Sequence, residues 1–427
     1  MSKKITLIAV IVITGIVFWV SCGTKINRPK ETPGGGIIGE TTYVQLDPPW
    51  DAVGGYSFNN PHKIIVGRDT YIYIADTDNN RIVRLDAHGT IQATYEVPHP
   101  IGLTQDELLR LLVVTGDSKD IYKINVGPGG DGIAVRCYSW RSDVYNDTLM
   151  LDDTDVFTDI ACAAGYVKRY YVAAATPSIF NSGKIVVFKN QINVMDTIGW
   201  WKNDTLYQHP VPDPDSIVRD SVFDYLLNSK YLVGSDTCTN PQINYGTGLG
   251  STSHPNGVTA FGRSGRNYLL YTQDSSYFKC QLLAYNNNTY YRLGWYASAF
   301  TGTDNDLHRN NYFIHPAAAT VDSSGSIFVV GPRNTIDSTW WKGDSSYTYA
   351  VPDFDSVTTD SVIKYIHKFD ANGVLKMSFA VFGDSTGQVK NPCGVAYDNF
   401  ADRKTVYISD TGNNRIVRYK LSTDLGN

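Results

Sequence analysis

The sequence predicts an all-β fold, a six-bladed β-propeller, and three observations predict it. A phrase of two apolar runs around a polar turn, Tyr71 to Gly89, returns near the other end of the chain at Val406 to Tyr419. Self-similarity between distant segments marks a repeat architecture. Short β-branched and aromatic runs also recur between Pro, Gly, Asn and Asp turns, and 29 Tyr against 4 Met in 427 residues favours strands over helices.

The turn comes first, because it defines the unit. Asp76-Thr77-Asp78-Asn79-Asn80-Arg81 is matched by Asp410-Thr411-Gly412-Asn413-Asn414-Arg415, with Gly412 where Asp78 stood. Short polar side chains bond nearby backbone and tolerate left-handed conformations, which suits a tight hairpin. Units open at Asn60-Pro61, His99-Pro100, His254-Pro255, His315-Pro316 and Asn391-Pro392, with a degenerate opening at Phe157 to Ala161. Pro is tolerated as a first strand residue because its missing donor costs nothing there. Second strands are expected at Tyr71–Ala75, Leu111–Thr115, Tyr170–Ala174, Tyr268–Thr272, Ile327–Val330 and Val406–Ser409. Third strands follow, and fourth strands are expected at Ile91–Val97, Gln191–Ile198, Tyr290–Tyr296 and Leu375–Phe382. Four strands in each of six units describe a propeller. The last unit lacks a fourth strand, so Thr41–Leu46 is expected to pair with Ile416–Lys420 and close the ring without an open edge.

An opening Pro, a small residue, an apolar strand and then Tyr-Ile-x-Asp-Thr-x-Asn-Asn-Arg-Ile resembles the NHL repeat, closely in the first and last units, over residues 41–427. The resemblance implies a propeller. Related amidating lyases place propeller histidines on zinc in a Pro-His order, which here occurs only at Pro61-His62 and Pro98-His99.

Lys3-Lys4, an apolar run from Ile5 to Val20 and Ser21-Cys22-Gly23 form a secretory signal over residues 1–22. It resembles a bacterial lipoprotein signal, which implies lipidation of Cys22; an uncleaved membrane anchor is the alternative. Residues 23–40, rich in Pro and Gly, read as a flexible tether. Either way the body is expected in the cell envelope, outside the inner membrane. A formal net charge of −5 lacks the basic footprint of a nucleic-acid binder. Cys137, Cys162, Cys238, Cys280 and Cys393 show no metal-ligand spacing.

The chain is longer than six minimal units need, and the surplus falls at about 203–250 and 334–360. Trp200-Trp201 leads to Asp213-Pro214-Asp215, and the frame recurs, displaced by 140, at Trp340-Trp341 and Asp353-Phe354-Asp355. The first insertion is expected after the third unit's fourth strand and the second between strands two and three of the fifth. That arrangement would gather both on one rim with His99, His254 and His315. Three imidazoles at equivalent positions would suit Zn²⁺ with an open fourth site; the alternative is a polar residue held extended before Pro. The spaced carboxylates suit Ca²⁺ or a tight Pro-Asp turn, and the tryptophans could stack on a sugar or a protein. No catalytic nucleophile stands out. The expected function is an envelope-anchored binding module for a protein or glycan, and the alternative is a metal-dependent propeller enzyme, lyase-like or gluconolactonase-like.

Overall fold

The computed structural model describes residues 41–139, 154–163, 169–175, 184–189, 199–202, 205–208, 217–218, 223–227, 254–263, 266–274, 279–286, 289–292, 306–308, 312–333, 363–400 and 403–425. Residues 1–40, with Cys22, and Asp213, Asp215, Trp340, Trp341, Asp353 and Asp355 lie outside these residues.

The chain is an all-β propeller. Its first strand, β1 (Tyr43–Trp50), belongs to a sheet built mostly from the other end of the chain. The next sheet is β2 (Pro61–Val66), β3 (Ile72–Asp76), β4 (Arg81–Leu85) and β5 (Ile91–Glu96) in simple antiparallel order. A second meander follows with β6 (Pro100–Gln105), β7 (Arg110–Thr115), β8 (Asp120–Asn125) and β9 (Ala134–Ser139). The third has β10 (Val156–Ala163), β11 (Arg169–Ala175) and β12 (Lys184–Lys189), then a separate three-stranded sheet of β13 (Gly199–Lys202), β14 (Thr205–Gln208) and β15 (Ile217–Val218). Only afterwards does β16 (Phe223–Leu227) return to pair with β12. The fourth sheet is β17 (Pro255–Arg263), β18 (Arg266–Gln273), β19 (Cys280–Asn286) and β20 (Thr289–Arg292). The fifth is β21 (Ala318–Val321), β22 (Ile327–Val330), β23 (Lys364–Phe369), β24 (Leu375–Phe382) and a short parallel β25 (Gln388–Val389). Last come β26 (Gly394–Tyr397), β27 (Thr405–Asp410) and β28 (Arg415–Leu421).

The sheets do not repeat a uniform four-stranded plan, as the sequence had suggested. Five of them have four strands, one has five, and the three-stranded sheet stands apart, among the described residues. β1 pairs with β28 in the register Tyr43↔Leu421, Val44↔Lys420, Gln45↔Tyr419 and Leu46↔Arg418.

The strands form where apolar side chains alternate or run continuously, because each sheet is buried on both faces by its neighbours. Ile74, Val83, Ala396 and Tyr407 share one core between the β2–β5 and β26–β28 sheets. Tyr73, Ile82, Leu103 and Val113 fill the next interface, and Tyr171, Val258 and Leu269 another. Leu270, Leu282, Ile327 and Phe369 pack the fourth sheet on the fifth, and Phe328, Val330, Val406 and Ile408 the fifth on the last. Each such fully buried Val, Leu, Ile or Phe contributes about 1.5–3 kcal/mol. β1 joins this scheme through Tyr43, whose ring stacks on Phe379 at 4.6 Å and meets Phe328 edge-on at 5.8 Å.

Two expectations are corrected here. The third sheet takes its outer strand from Phe223–Leu227 and not from Gln191–Ile198, so the Trp200 insertion lies between strands three and four. That connection leaves from the end of β12, opposite Arg169 and beside the end of β10. The second insertion leaves from Val330, which pairs with Ala318 at the start of β21. Successive antiparallel strands reverse direction, so the two insertions attach at opposite ends of the blades and share no rim. The second correction concerns the residues before the opening prolines: Asn60, His99, His254 and Asn391 have φ of 56°, 40°, 53° and 44°, left-handed and not extended. At Asn60 and His99 hydrogen bonds from the neighbouring sheet hold that conformation.

Candidate functional site at the channel

The two copies of the turn phrase hold the starts of the first, second and last units. Asp76 Oδ1 accepts the Asn59 N–H at 2.7 Å, while its Oδ2 accepts from Asn79 at 2.9 Å and Arg81 Nε at 2.7 Å. Asp410 does the same for Lys390 N–H, Asn413 and Arg415 at 2.6, 2.9 and 2.6 Å. The Thr77 hydroxyl donates to the Pro100 carbonyl at 2.7 Å, and the Asn80 side chain accepts the His99 N–H at 2.8 Å. Asn80 and Asn414 are left-handed caps of their 3-10 turns, a conformation asparagine adopts more readily than most residues. The motif is therefore a clamp between adjacent sheets, and the left-handed residue before Pro is its receiving end.

The first strands β2, β6, β10, β17, β21 and β26 run side by side around a channel. Their later residues line a cavity of about 410 Å³ that includes Lys63, Gln105, Phe261, Thr320, Tyr397 and Asn399. Lys63 closes it inward. Its ammonium meets Asp159 Oδ2 at 2.5 Å and the Val258 carbonyl at 3.2 Å, with both side chains buried. Asp159 further accepts the N–H groups of Ile160 and Val258, each at 2.8 Å. One ion pair thus ties the sheets of β2, β10 and β17 across the channel. Gly102 permits it, because a Cβ there would lie 2.7 Å from the Asp159 backbone.

On the other side, where these strands begin, His62 and Cys393 meet. Gly394 lets β26 approach β2 closely, since a Cβ on it would stand 2.2 Å from the His62 carbonyl oxygen. The Cys393 thiol donates to the Asn391 carbonyl at 3.4 Å, and His62 Nδ1 lies 2.9 Å from the Ile101 carbonyl oxygen. Burial pushes the Cys393 thiol up, but the nearby His62 charge acts the other way and the thiol lies below its usual value. Burial pulls the His62 imidazole down, yet Cys393, Asp159 and the Ile101 carbonyl leave it above its usual value.

The predicted histidines separate. His254 and His315 face one carboxylate, Asp274, at 4.0 and 3.2 Å. His99 Nδ1 lies buried without a hydrogen-bond partner, and so does His254 Nδ1. Among the described residues no three His, Cys, Asp or Glu side chains are grouped to hold a metal ion. Trp200 and Trp201 lie on β13, in the insertion that attaches at the cavity end. The sequence reading had not singled out Lys63 with Asp159, Asp274, or His62 with Cys393. A signal for the last pair was present: His62 and Cys393 each follow an Asn-Pro opening, in the first and last units.

No family model matches the sequence, and no curated protein matches it. The fold is similar to that of a gluconolactonase from Xanthomonas campestris, at 11% identity over 90% of this chain and 98% of that chain, with a TM-score of 0.45. It is also similar to virginiamycin B lyase from Staphylococcus aureus (12% identity, 89% and 99% covered, TM-score 0.40) and to the calcium-binding protein regucalcin from Agrobacterium tumefaciens (10% identity, 88% and 92% covered, TM-score 0.43). At such identities these resemblances assign no chemistry to this chain.

Proposed function

We propose that this chain is a six-bladed NHL-like propeller, closed by its N-terminal strand and anchored in a bacterial cell envelope, that binds the end of a glycan in its channel. The observation that carries the reading is the cavity of about 410 Å³ to which the first strands of six sheets all contribute. Its size is in the range of small-ligand pockets, roughly 300–1,000 Å³. Phe261 and Tyr397 supply ring surface, while Gln105, Thr320 and Asn399 supply donors and acceptors, a mixture that suits a sugar's apolar face and hydroxyl edge. The six-blade count rests on six sheets of four or more strands, and closure rests on the β1–β28 pairing. Trp200 and Trp201, on the insertion attached at the cavity end, are the residues chosen to extend the grip along the chain. Trp340, Trp341 and the acidic Asp213, Asp215, Asp353 and Asp355 have no part in this reading. Envelope anchoring rests on Lys3-Lys4, the apolar run and Cys22.

A glycan array probed with the protein tests the reading, followed by calorimetry on the best-bound oligosaccharide. Thr320→Trp fills the cavity and should abolish binding without unfolding the protein. Absence of any glycan bound by the wild type, or equal binding by Thr320→Trp, defeats the proposal. For the anchor, fatty-acid labelling in a bacterial host should be lost in Cys22→Ser. A metal-dependent propeller enzyme is the competing class, favoured only by Asp274 lying between His254 and His315. Stoichiometric zinc that disappears in His254→Ala and His315→Ala would turn the choice toward it.

A further inference from the structure

The channel cavity continues outward. Phe261 lines it and also lines a second hollow of about 170 Å³, together with Arg263, Tyr268, Gly325 and Ile327, between the fourth and fifth sheets. The Phe261 and Tyr268 rings are stacked with centroids 5.2 Å apart, so an aromatic pair joins the cavity to the hollow.

The polar groups around the two spaces are unequally used. The fold itself consumes the acceptors. Gln105 Oε1 takes the Arg68 N–H at 2.6 Å, Asn399 Oδ1 the Ser323 N–H at 2.5 Å and Thr104 Oγ1 the Cys162 N–H at 3.0 Å. The carboxylates nearby are occupied as well: Asp159 by Lys63, Asp69 by the Tyr73 hydroxyl and the Gln105 amide, Asp322 by Ser324 and Ser326, and Asp370 by Lys376. Donors remain. Arg68 and Thr320 line the cavity and Arg263 the hollow, and their side chains make no hydrogen bond or ion pair with any described residue. Gly325 has a φ of 88°, and a Cβ on it would collide with Arg263 Nη1, so that guanidinium rests against bare backbone.

Spare donors and two uncompensated cations select a ligand that is rich in acceptors and negatively charged. A guanidinium receives a planar carboxylate through two parallel N–H···O bonds, and aromatic rings suit the apolar face of a sugar. A chain of net charge −5 has no general attraction for polyanions, so the selection is local to these residues.

We propose that the glycan whose end enters the channel is a uronic-acid oligosaccharide, with one sugar's carboxylate on Arg68 and another's on Arg263 beside the Phe261–Tyr268 pair. The inference rests on the glycan reading and adds the charge of the ligand to it.

Calorimetry on the full-length protein tests it, with trisaccharides of glucuronate, galacturonate and mannuronate, each beside its carboxyl-reduced form. At least one acid should bind about 10- to 100-fold more tightly than its reduced twin, the effect of a charge-assisted hydrogen bond. Arg68→Ala and Arg263→Ala, both at exposed positions, should each weaken binding of that acid by about tenfold and leave the reduced form unaffected. Arg68→Lys should keep part of the affinity, since the charge stays and the fork is lost. A reduced trisaccharide bound as tightly as its acid, or both alanine variants binding the acid like the wild type, overturns the inference and leaves the glycan reading standing. Neutral glycans bound on the array while all three acids fail here have the same meaning. An array without any bound glycan removes the glycan reading and the inference with it.

Discussion

The Thr411 hydroxyl donates to the Pro61 carbonyl at 2.6 Å, across 350 residues of sequence, as Thr77 donates to Pro100 at 2.7 Å across 23. Asn414 likewise accepts the Asn60 N–H at 2.8 Å, as Asn80 accepts that of His99. The last sheet clamps the first by the same chemistry that joins the first to the second. Thr411→Val and Thr77→Val should therefore each lower stability by about 1 kcal/mol, the usual net value of one such bond. Denaturant titration checks this, and a negligible effect of Thr411→Val alone would show that the two junctions are not equivalent.

Removing residues 1–50 takes away β1, with the buried rings of Tyr43 and Trp50. The loss of two such side chains and an outer strand should cost several kcal/mol, roughly 10 °C or more in melting temperature. A truncated protein that melts like the intact one would refute closure by the N-terminal strand.

Lys63→Met leaves the Asp159 carboxylate buried without its cation. Breaking a buried pair in this way costs about 3–5 kcal/mol. The double variant Lys63→Met with Asp159→Leu should recover part of the loss, since no charge then remains buried. Additive losses in the double variant would contradict the coupling.

His367 sits on β23 with its Nδ1 2.9 Å from Ser378 Oγ and Nε2 3.1 Å from the Gly331 carbonyl. Burial, aided by the Arg333 charge, depresses its pKa from 6.5 to about 3. The unfolded chain then binds the proton more readily than the folded one. The resulting stability is fully present above 6.5 and drains away as pH falls toward 3, at up to about 1.4 kcal/mol per pH unit. Unfolding measured against pH in wild type and His367→Gln should show this slope reduced in the variant.

What the amino-acid order determined by itself was local and periodic. The alternation in Ile72–Asp76 and Thr405–Asp410, the polar turns and the opening prolines fixed strands and their sequence as propeller units, because these features depend on neighbours a few residues away. The place of the insertions did not follow, since a degenerate strand such as Phe223–Leu227 is recognised only by its pairing with β12. Nor did the left-handed backbone of Asn60 and His99, whose N–H groups are held by asparagines on the adjoining sheet. The meeting of Lys63 with Asp159 and of His62 with Cys393 was decided by the tertiary structure alone. Side chains nearly a hundred or more than three hundred positions apart become neighbours only when the first strands converge on a common channel, and no interval in the sequence encodes that distance.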